Sequence, residues 1–136
     1  MKIIDLQRSV FFNKEFREAL DEFATSRSID KLSSNDPKEV MEAAERLSAK
    51  VKNAELKKEL EVVAAVAGQR KKLAEITKKK SEIENKWNRD KIAKHRDEVE
   101  SVYRNQPLAT AELNRLESQR SMGNEELKER LREGLG

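Results

Sequence analysis

Basic residues concentrate in one stretch of this chain, residues 69–96, and they are the side chains best suited to bind another molecule. The stretch holds eleven Lys or Arg against four Asp or Glu, a net charge of +7 in a chain whose total is +3. On a helix it would span about 40 Å, long enough to contact many groups of a phosphate backbone. The candidate polyanion-binding residues are Arg70, Lys71, Lys72, Lys78, Lys79, Lys80, Lys86, Arg89, Lys91, Lys94 and Arg96.

Acidic protein could neutralise the same charge, and a solvated helix face would also carry it. Residues 97–136 have a net charge of −3 and could fold back onto the basic stretch. A neighbouring subunit of an oligomer could supply the acids instead. The acidic side chains available for folding back include Glu112, Glu117, Glu125, Glu126, Glu129 and Glu133.

Catalytic and metal chemistry lack a candidate constellation. His95 is the single histidine and there is no cysteine, so no pair of the usual zinc ligands exists. No Gly-rich phosphate loop and no Ser-His-Asp context is present. Most carboxylates alternate with Lys or Arg as helical ion pairs do. We therefore expect no catalytic residue, no metal site, no cofactor and no small-molecule substrate.

The element that carries the basic stretch is predicted to be one long helix from Asn53 to about Asn105. Good helix formers fill it, and it contains a single glycine, Gly68, and no proline. A helix of about 80 Å needs another helix or another chain to cover its apolar side. A weak seam with coiled-coil spacing, in two short registers offset near Asn88, is formed by Leu73, Ile76, Ile83, Trp87, Ile92, Val99 and Val102.

A second helix is predicted before it, over residues 37–52. Asp36 followed by Pro37 is a strong start signal, because an aspartate caps well and proline suits the first helical position. Asn53 favours a tight turn into the long helix, which would make an antiparallel hairpin. The alternative is one continuous helix whose apolar stripe rotates.

An aromatic node lies near the N-terminus, because all four Phe fall between residues 11 and 23. A helix over residues 13–25 would align most of them on one stripe. We expect this node to seal a small helical head or to bind a partner. Its residues are Phe11, Phe12, Phe16, Leu20 and Phe23.

The remaining segments are predicted to be irregular or short. Residues 1–12 have no clean period and are interpreted as an arm, and the Ser-rich residues 25–35 as a loop. Pro107 is expected to end the long helix. Two short helices, 110–121 and 125–133, would follow. The sequence thus predicts an all-α chain with an arm (1–12), a head (13–68), a basic stalk (69–106) and a C-terminal segment (107–136).

The favoured function is a non-enzymatic structural or assembly protein, a helical subunit of an oligomer, virion or other large complex. One alternative is a nucleic-acid-binding helical oligomer of the DNA-packaging or chromosome-associated type. Another is an adaptor or inhibitor that docks through its N-terminal arm. Early charges argue against a signal peptide and no apolar run is long enough for a membrane span, so we expect a cytoplasmic or otherwise intracellular protein without a membrane partner.

Overall fold

The protein is all-α in a computed structural model that describes the backbone of residues 3–135 and the side chains of residues 14–135. Those residues form six helices in the order α1 Ile3–Lys31, α2 Pro37–Lys50, α3 Ala54–Lys86, α4 Arg89–Lys94, α5 Arg96–Ser118 and α6 Asn124–Leu135. No helix among them is long and apolar enough to cross a membrane.

The antiparallel hairpin predicted at Asn53 is confirmed. The Asp36 side chain accepts a hydrogen bond from the Lys38 N–H and starts α2. The Asn53 side chain accepts from the N–H groups of Glu55 and Leu56 and starts α3. Gly68 does not interrupt α3. A Cβ at Gly68 would lie 3.5 Å from the Met41 Cε of α2, an ordinary contact distance.

A hydrophobic core forms where four helices meet, and we call this part the head: residues 24–50, the first half of α3, and α6. Leu47 and Leu60 are fully buried, as are Leu127 and Leu131 of α6. The head predicted from the sequence lacks the C-terminal segment and is therefore incomplete. The stripe of leucines at four-residue spacing in α6 closes the core from the other end of the chain.

The predicted helix from Asn53 to Asn105 is wrong, because α3 ends at Lys86 and the chain reverses. Trp87 is the C-cap residue of α3, and the Asn88 side chain starts α4 by accepting from the Lys91 N–H at 2.8 Å. After α4, α5 runs back antiparallel along α3. We call the second half of α3, together with α4 and α5, the stalk. The apolar seam of α3 is therefore covered by the same chain.

Pro107 lies inside α5 and does not end a helix, contrary to the prediction. A proline in a helix interior removes one backbone hydrogen bond and favours a bend. Packing of α5 along α3 offsets that cost. The helix predicted over residues 110–121 is thus the second half of a longer one, whereas the break at Gly123 before α6 is confirmed.

The irregular arm predicted over residues 1–12 and the first part of the predicted loop are wrong, because α1 runs without interruption from Ile3 to Lys31. The loop is confirmed only over residues 32–35. Only its last turns belong to the head, with Ser28 and Ile29 buried. The Lys50 ammonium bonds to the Asp21 carboxylate and to the Thr25 hydroxyl, and Arg132 of α6 pairs with Asp30 at 3.1 Å. Residues 14–23 are all exposed. Asp21 still contacts the head through Lys50, and the part of α1 before it extends beyond the head.

Candidate interaction surfaces

Folding of α5 onto α3 neutralises part of the basic stretch. The Arg70 guanidinium pairs with Glu117 at 3.0 Å, and the Lys79 ammonium with Glu98 at 3.1 Å. Lys80 instead donates to the Gln106 side-chain oxygen at 3.3 Å and lies 5.1 Å from the centre of the Tyr103 ring. The expectation that C-terminal acids fold back onto the stalk therefore holds for α5.

The acids of α6 do not take part in that neutralisation. Glu125 pairs with Lys128 and Glu126 with Arg130, both within α6. Arg130 also reaches Glu55 at the start of α3, at 3.5 Å. The two pairs of Arg130 are exposed and lie on the head, where each contributes little to stability. Lys128, in contrast, is buried, with 11% of its side chain exposed.

Trp87 organises the turn at the far end of the stalk. The Lys79 and Lys91 ammonium groups lie 4.9 and 4.6 Å from its ring centre, and the His95 ring lies 5.5 Å away. Cation–π contacts of this kind are worth about 0.5–1 kcal/mol each at exposed sites. The half-buried indole thus holds α3, α4 and the start of α5 together, and it is not a free platform on which a base could stack.

The strongest uncompensated charge lies at this turn, which we call the basic tip, residues 86–96. It contains five Lys or Arg and one Asp, a net charge of +4. Arg96 pairs with Glu100 at 3.0 Å. Among the described side chains, Lys86, Arg89, Lys91 and Lys94 form no ion pair, and all four are exposed.

The other predicted polyanion-binding residues lie along α3 and do not converge on one face. Lys71, Lys72 and Lys78 are exposed. Lys72 lies near Glu112, whose pKa is held below its ordinary value mainly by hydrogen bonding to Arg115. Lys78 borders an open groove of about 640 Å³ beside α3, which has Leu73 and Leu113 among its apolar lining residues.

The predicted seam residues all lie where helices of the stalk meet, at different depths. Ile83 is buried at 2% exposure. The half-buried members are Leu73, Ile76, Trp87, Ile92, Val99 and Val102. Since α5 covers α3, the two short registers on either side of Asn88 are the two halves of one intramolecular hairpin.

The three described members of the aromatic node do not seal the head, which corrects that expectation for them. Phe16 is 60% exposed, Leu20 49% and Phe23 61%. The Arg27 guanidinium lies 5.8 Å from the Phe23 ring centre, and no described helix covers the stripe. We call Phe16, Leu20 and Phe23 the aromatic face of α1. Phe11 and Phe12 lie outside the residues whose side chains are described.

Glu59 is one of two buried charged residues in the described structure, with Lys128 of α6, and the sequence pattern does not single it out. Its carboxylate accepts hydrogen bonds from the Ser121 hydroxyl at 2.8 Å and the Ser121 N–H at 3.1 Å, and it pairs with Arg120 at 3.1 Å. Burial alone would raise the pKa of Glu59, but these hydrogen bonds outweigh it and lower that pKa. Glu59 thereby fixes the link between α5 and α6 against the head.

No metal-binding arrangement occurs in the described part of the chain, which lacks any group of three His, Cys, Asp or Glu side chains close enough to hold an ion. His95 is exposed, with its Nδ1 3.8 Å from Glu98. It lies where α4 gives way to α5. Its ring packs in the turn beside the Trp87 ring, with the ring centres 5.5 Å apart.

Comparison of the chain with protein-family models, with curated proteins and with solved structures found no match. Two surfaces of the described residues remain as candidates for binding another molecule. These are the aromatic face of α1 and the basic tip.

Proposed function

We propose that this chain is a non-enzymatic assembly protein that joins an oligomer or larger protein complex through the aromatic face of α1. The observation that carries the proposal is the exposure of Phe16, Leu20 and Phe23 on a helical segment that extends from the head. Contiguous apolar surface of this kind, flanked by polar residues, is characteristic of protein contacts. Large aromatic side chains are also enriched among residues that dominate binding energy.

Helix stability supports the same proposal. A short isolated helix is marginal in water, and most helices in proteins are held by packing of an apolar face. Residues 14–23 have no such packing in the monomer. A bound protein would supply it.

The test measures association and its dependence on the aromatic face. Light scattering across about 5 to 200 µM, with pull-downs from a source of candidate partners, compares the parent chain with Leu20→Glu. We expect self-association or a specific complex that Leu20→Glu abolishes. The matched control is Leu108→Glu, which alters a 62% exposed leucine on α5 and should change nothing. A chain that stays monomeric and binds no protein through α1 would contradict the proposal.

Contact with a polyanion at the basic tip is a second candidate function. The observation that favours it is the set of four exposed cations without an ion pair in the described structure, Lys86, Arg89, Lys91 and Lys94. If all four contacted phosphates of a duplex, affinity would fall about 100-fold between 50 and 200 mM salt, because roughly 0.9 counterions are released per contact.

Its test is fluorescence anisotropy with labelled DNA and RNA at those two salt concentrations. Arg89→Glu with Lys94→Glu should weaken binding and reduce the salt dependence. Lys57→Glu with Lys58→Glu makes the same charge change at exposed positions on the head and serves as the control. Absence of binding at 50 mM salt would rule this function out.

A further inference from the structure

The aromatic face of α1 is directed away from the head. On a helix with about 100° per residue, Phe16, Leu20 and Phe23 lie within about 60° of one another. The residues of α1 that pack against the head, among them Ser28 and Ile29, lie on the opposite side. The head therefore lies on the other side of α1 and does not cover the aromatic face, which leaves that face accessible to another molecule.

The aromatic face is bordered by small uncharged residues. Ala19, Ala24 and Ser26 flank the stripe, so that a second helix could approach closely. Between Phe16 and Ala24 the nearest charge is Arg17, about 90° from the centre of the face, whereas Arg27 lies on the stripe itself, one turn beyond Phe23. Two copies of this face can therefore meet without bringing like charges together between Phe16 and Ala24.

We propose that the aromatic face of α1 pairs with the same face of a second copy of this chain, in an antiparallel arrangement whose two-fold axis passes near Leu20. This deepens the proposed function and rests on it. Phe16 of one copy lies opposite Phe23 of the other, and the Leu20 side chains meet at the axis. Such a self-complementary contact forms a closed dimer.

Charge selects the antiparallel direction over the parallel one. Arg27 continues the stripe one turn beyond Phe23, so parallel helices would place two Arg27 side chains against each other in the seam. Antiparallel helices avoid that contact, and in this register Arg17 lies level with the acidic pair Asp21 and Glu22 of the second copy. They also place the two basic stalks at opposite ends of the dimer, because each stalk follows its own head.

The area available implies a dimer of moderate affinity. From their exposed fractions, the three apolar side chains offer about 300 Å² per copy. A standard interface buries about 800 Å² on each partner, so flanking parts of α1 must contribute the rest. Association is therefore expected in the micromolar range. It should persist at 0.5 M NaCl because it depends mainly on apolar burial.

Mass measurement gives the first test. Sedimentation equilibrium should find twice the 15.7 kDa chain mass at high concentration. Leu20→Glu should give a monomer with unchanged helix content, and Leu108→Glu should still give a dimer. A parent chain that stays monomeric at 200 µM, or a dimer that survives Leu20→Glu, would overturn the proposal.

Disulfide cross-linking tests whether the two α1 helices run antiparallel. Because the chain has no cysteine, each introduced cysteine is the only thiol in its variant. Leu20→Cys should form a disulfide dimer on oxidation. Phe16→Cys mixed with Phe23→Cys should cross-link efficiently, whereas neither variant should do so alone. Ser118→Cys, an exposed position on α5, is the control. Cross-linking of Phe16→Cys with itself would mean a parallel pair.

The outcomes also separate this inference from the proposed function. If a complex depends on Leu20 but the mixed cross-link does not form, the antiparallel dimer is wrong and another protein, or the groove beside α3 of a second copy, occupies the face. If no association of any kind depends on Leu20, both proposals fail together.

Discussion

Glu59 is a buried carboxylate whose partners come from the short link between α5 and α6. We expect Glu59→Gln to lower the free energy of unfolding by about 1–3 kcal/mol at neutral pH, because Arg120 then loses a charged acceptor in a buried site. Chemical denaturation of the two proteins measures the difference. Glu61→Gln, an exposed neighbour on α3, should leave stability nearly unchanged. Equal stability of the parent and Glu59→Gln would mean that the contact has no net energetic value.

The pH dependence of the same residue has a definite sign. The pKa of Glu59 is lowered in the folded protein, so its contribution is complete above the unfolded-state pKa of about 4.3. That contribution is lost as the pH falls through the lower folded-state pKa. The parent should therefore lose stability on acidification more steeply than Glu59→Gln. Parallel stability curves below pH 4.5 would contradict this assignment.

Phe16 provides a second test at the scale of single residues. Because its side chain is 60% exposed, Phe16→Ala should change the unfolding free energy of the monomer by less than about 1 kcal/mol. Leu60→Ala, in the fully buried core, should cost about 2–5 kcal/mol. Thermal and urea unfolding at a concentration below that of any association measures both. A large loss for Phe16→Ala would mean that the aromatic face packs inside the monomer.

At the scale of elements, Gly68 is a position inside α3 where a substitution should increase the stability of the fold. A glycine in a helix interior is less stable than alanine by about 0.5–1 kcal/mol. A Cβ at Gly68 would meet Met41 at 3.5 Å, an ordinary contact distance. We therefore expect Gly68→Ala to raise stability by about that amount in urea unfolding. Gly123→Ala, outside the helices and with open space around it, is the control. A destabilised Gly68→Ala would mean that α2 and α3 are packed more tightly there than these distances indicate.

The helices also show which sequence signals are sufficient to predict where a helix starts or ends. Helix starts with a local cap, at Asp36 and Asn53, could be predicted because the capping side chain bonds to its own neighbours. Asn88 has the same chemistry, but the helix-forming residues on both sides of it favoured continuity. Pro107 does not end a helix as its local penalty predicts, because the tertiary packing of α5 outweighs that penalty. The return of α5 along α3 depends on contacts between residues far apart in sequence, which a local pattern does not encode.

The two interaction surfaces differ in how far the sequence could define them. The basic stretch was visible from composition, but only the fold shows that α5 compensates Arg70 and Lys79 and leaves the tip exposed. The aromatic node was visible as a helical stripe. Its exposure could not be predicted, because the same stripe fits a core and a docking face equally well. That choice depends on the direction in which α1 leaves the head.

At the scale of the whole molecule, the two ends of the described chain contribute unequally to the stability of the head. Leu127 and Leu131 of α6 are fully buried against residues from α2 and α3. Removing two such side chains would cost about 4–10 kcal/mol, comparable with the total stability of many domains. We expect a chain truncated after Met122 to lose cooperative thermal unfolding, monitored by circular dichroism.

Truncation at the other end is the matched comparison. Deleting residues 1–13 removes a similar length but no described core residue, since burial in α1 begins near Ser28. That chain should keep its melting temperature at low concentration. Cooperative unfolding of the chain that lacks α6, at the melting temperature of the parent, would mean that α1, α2 and α3 form a complete core by themselves. The C-terminal segment would then be an appendage, contrary to its buried leucines.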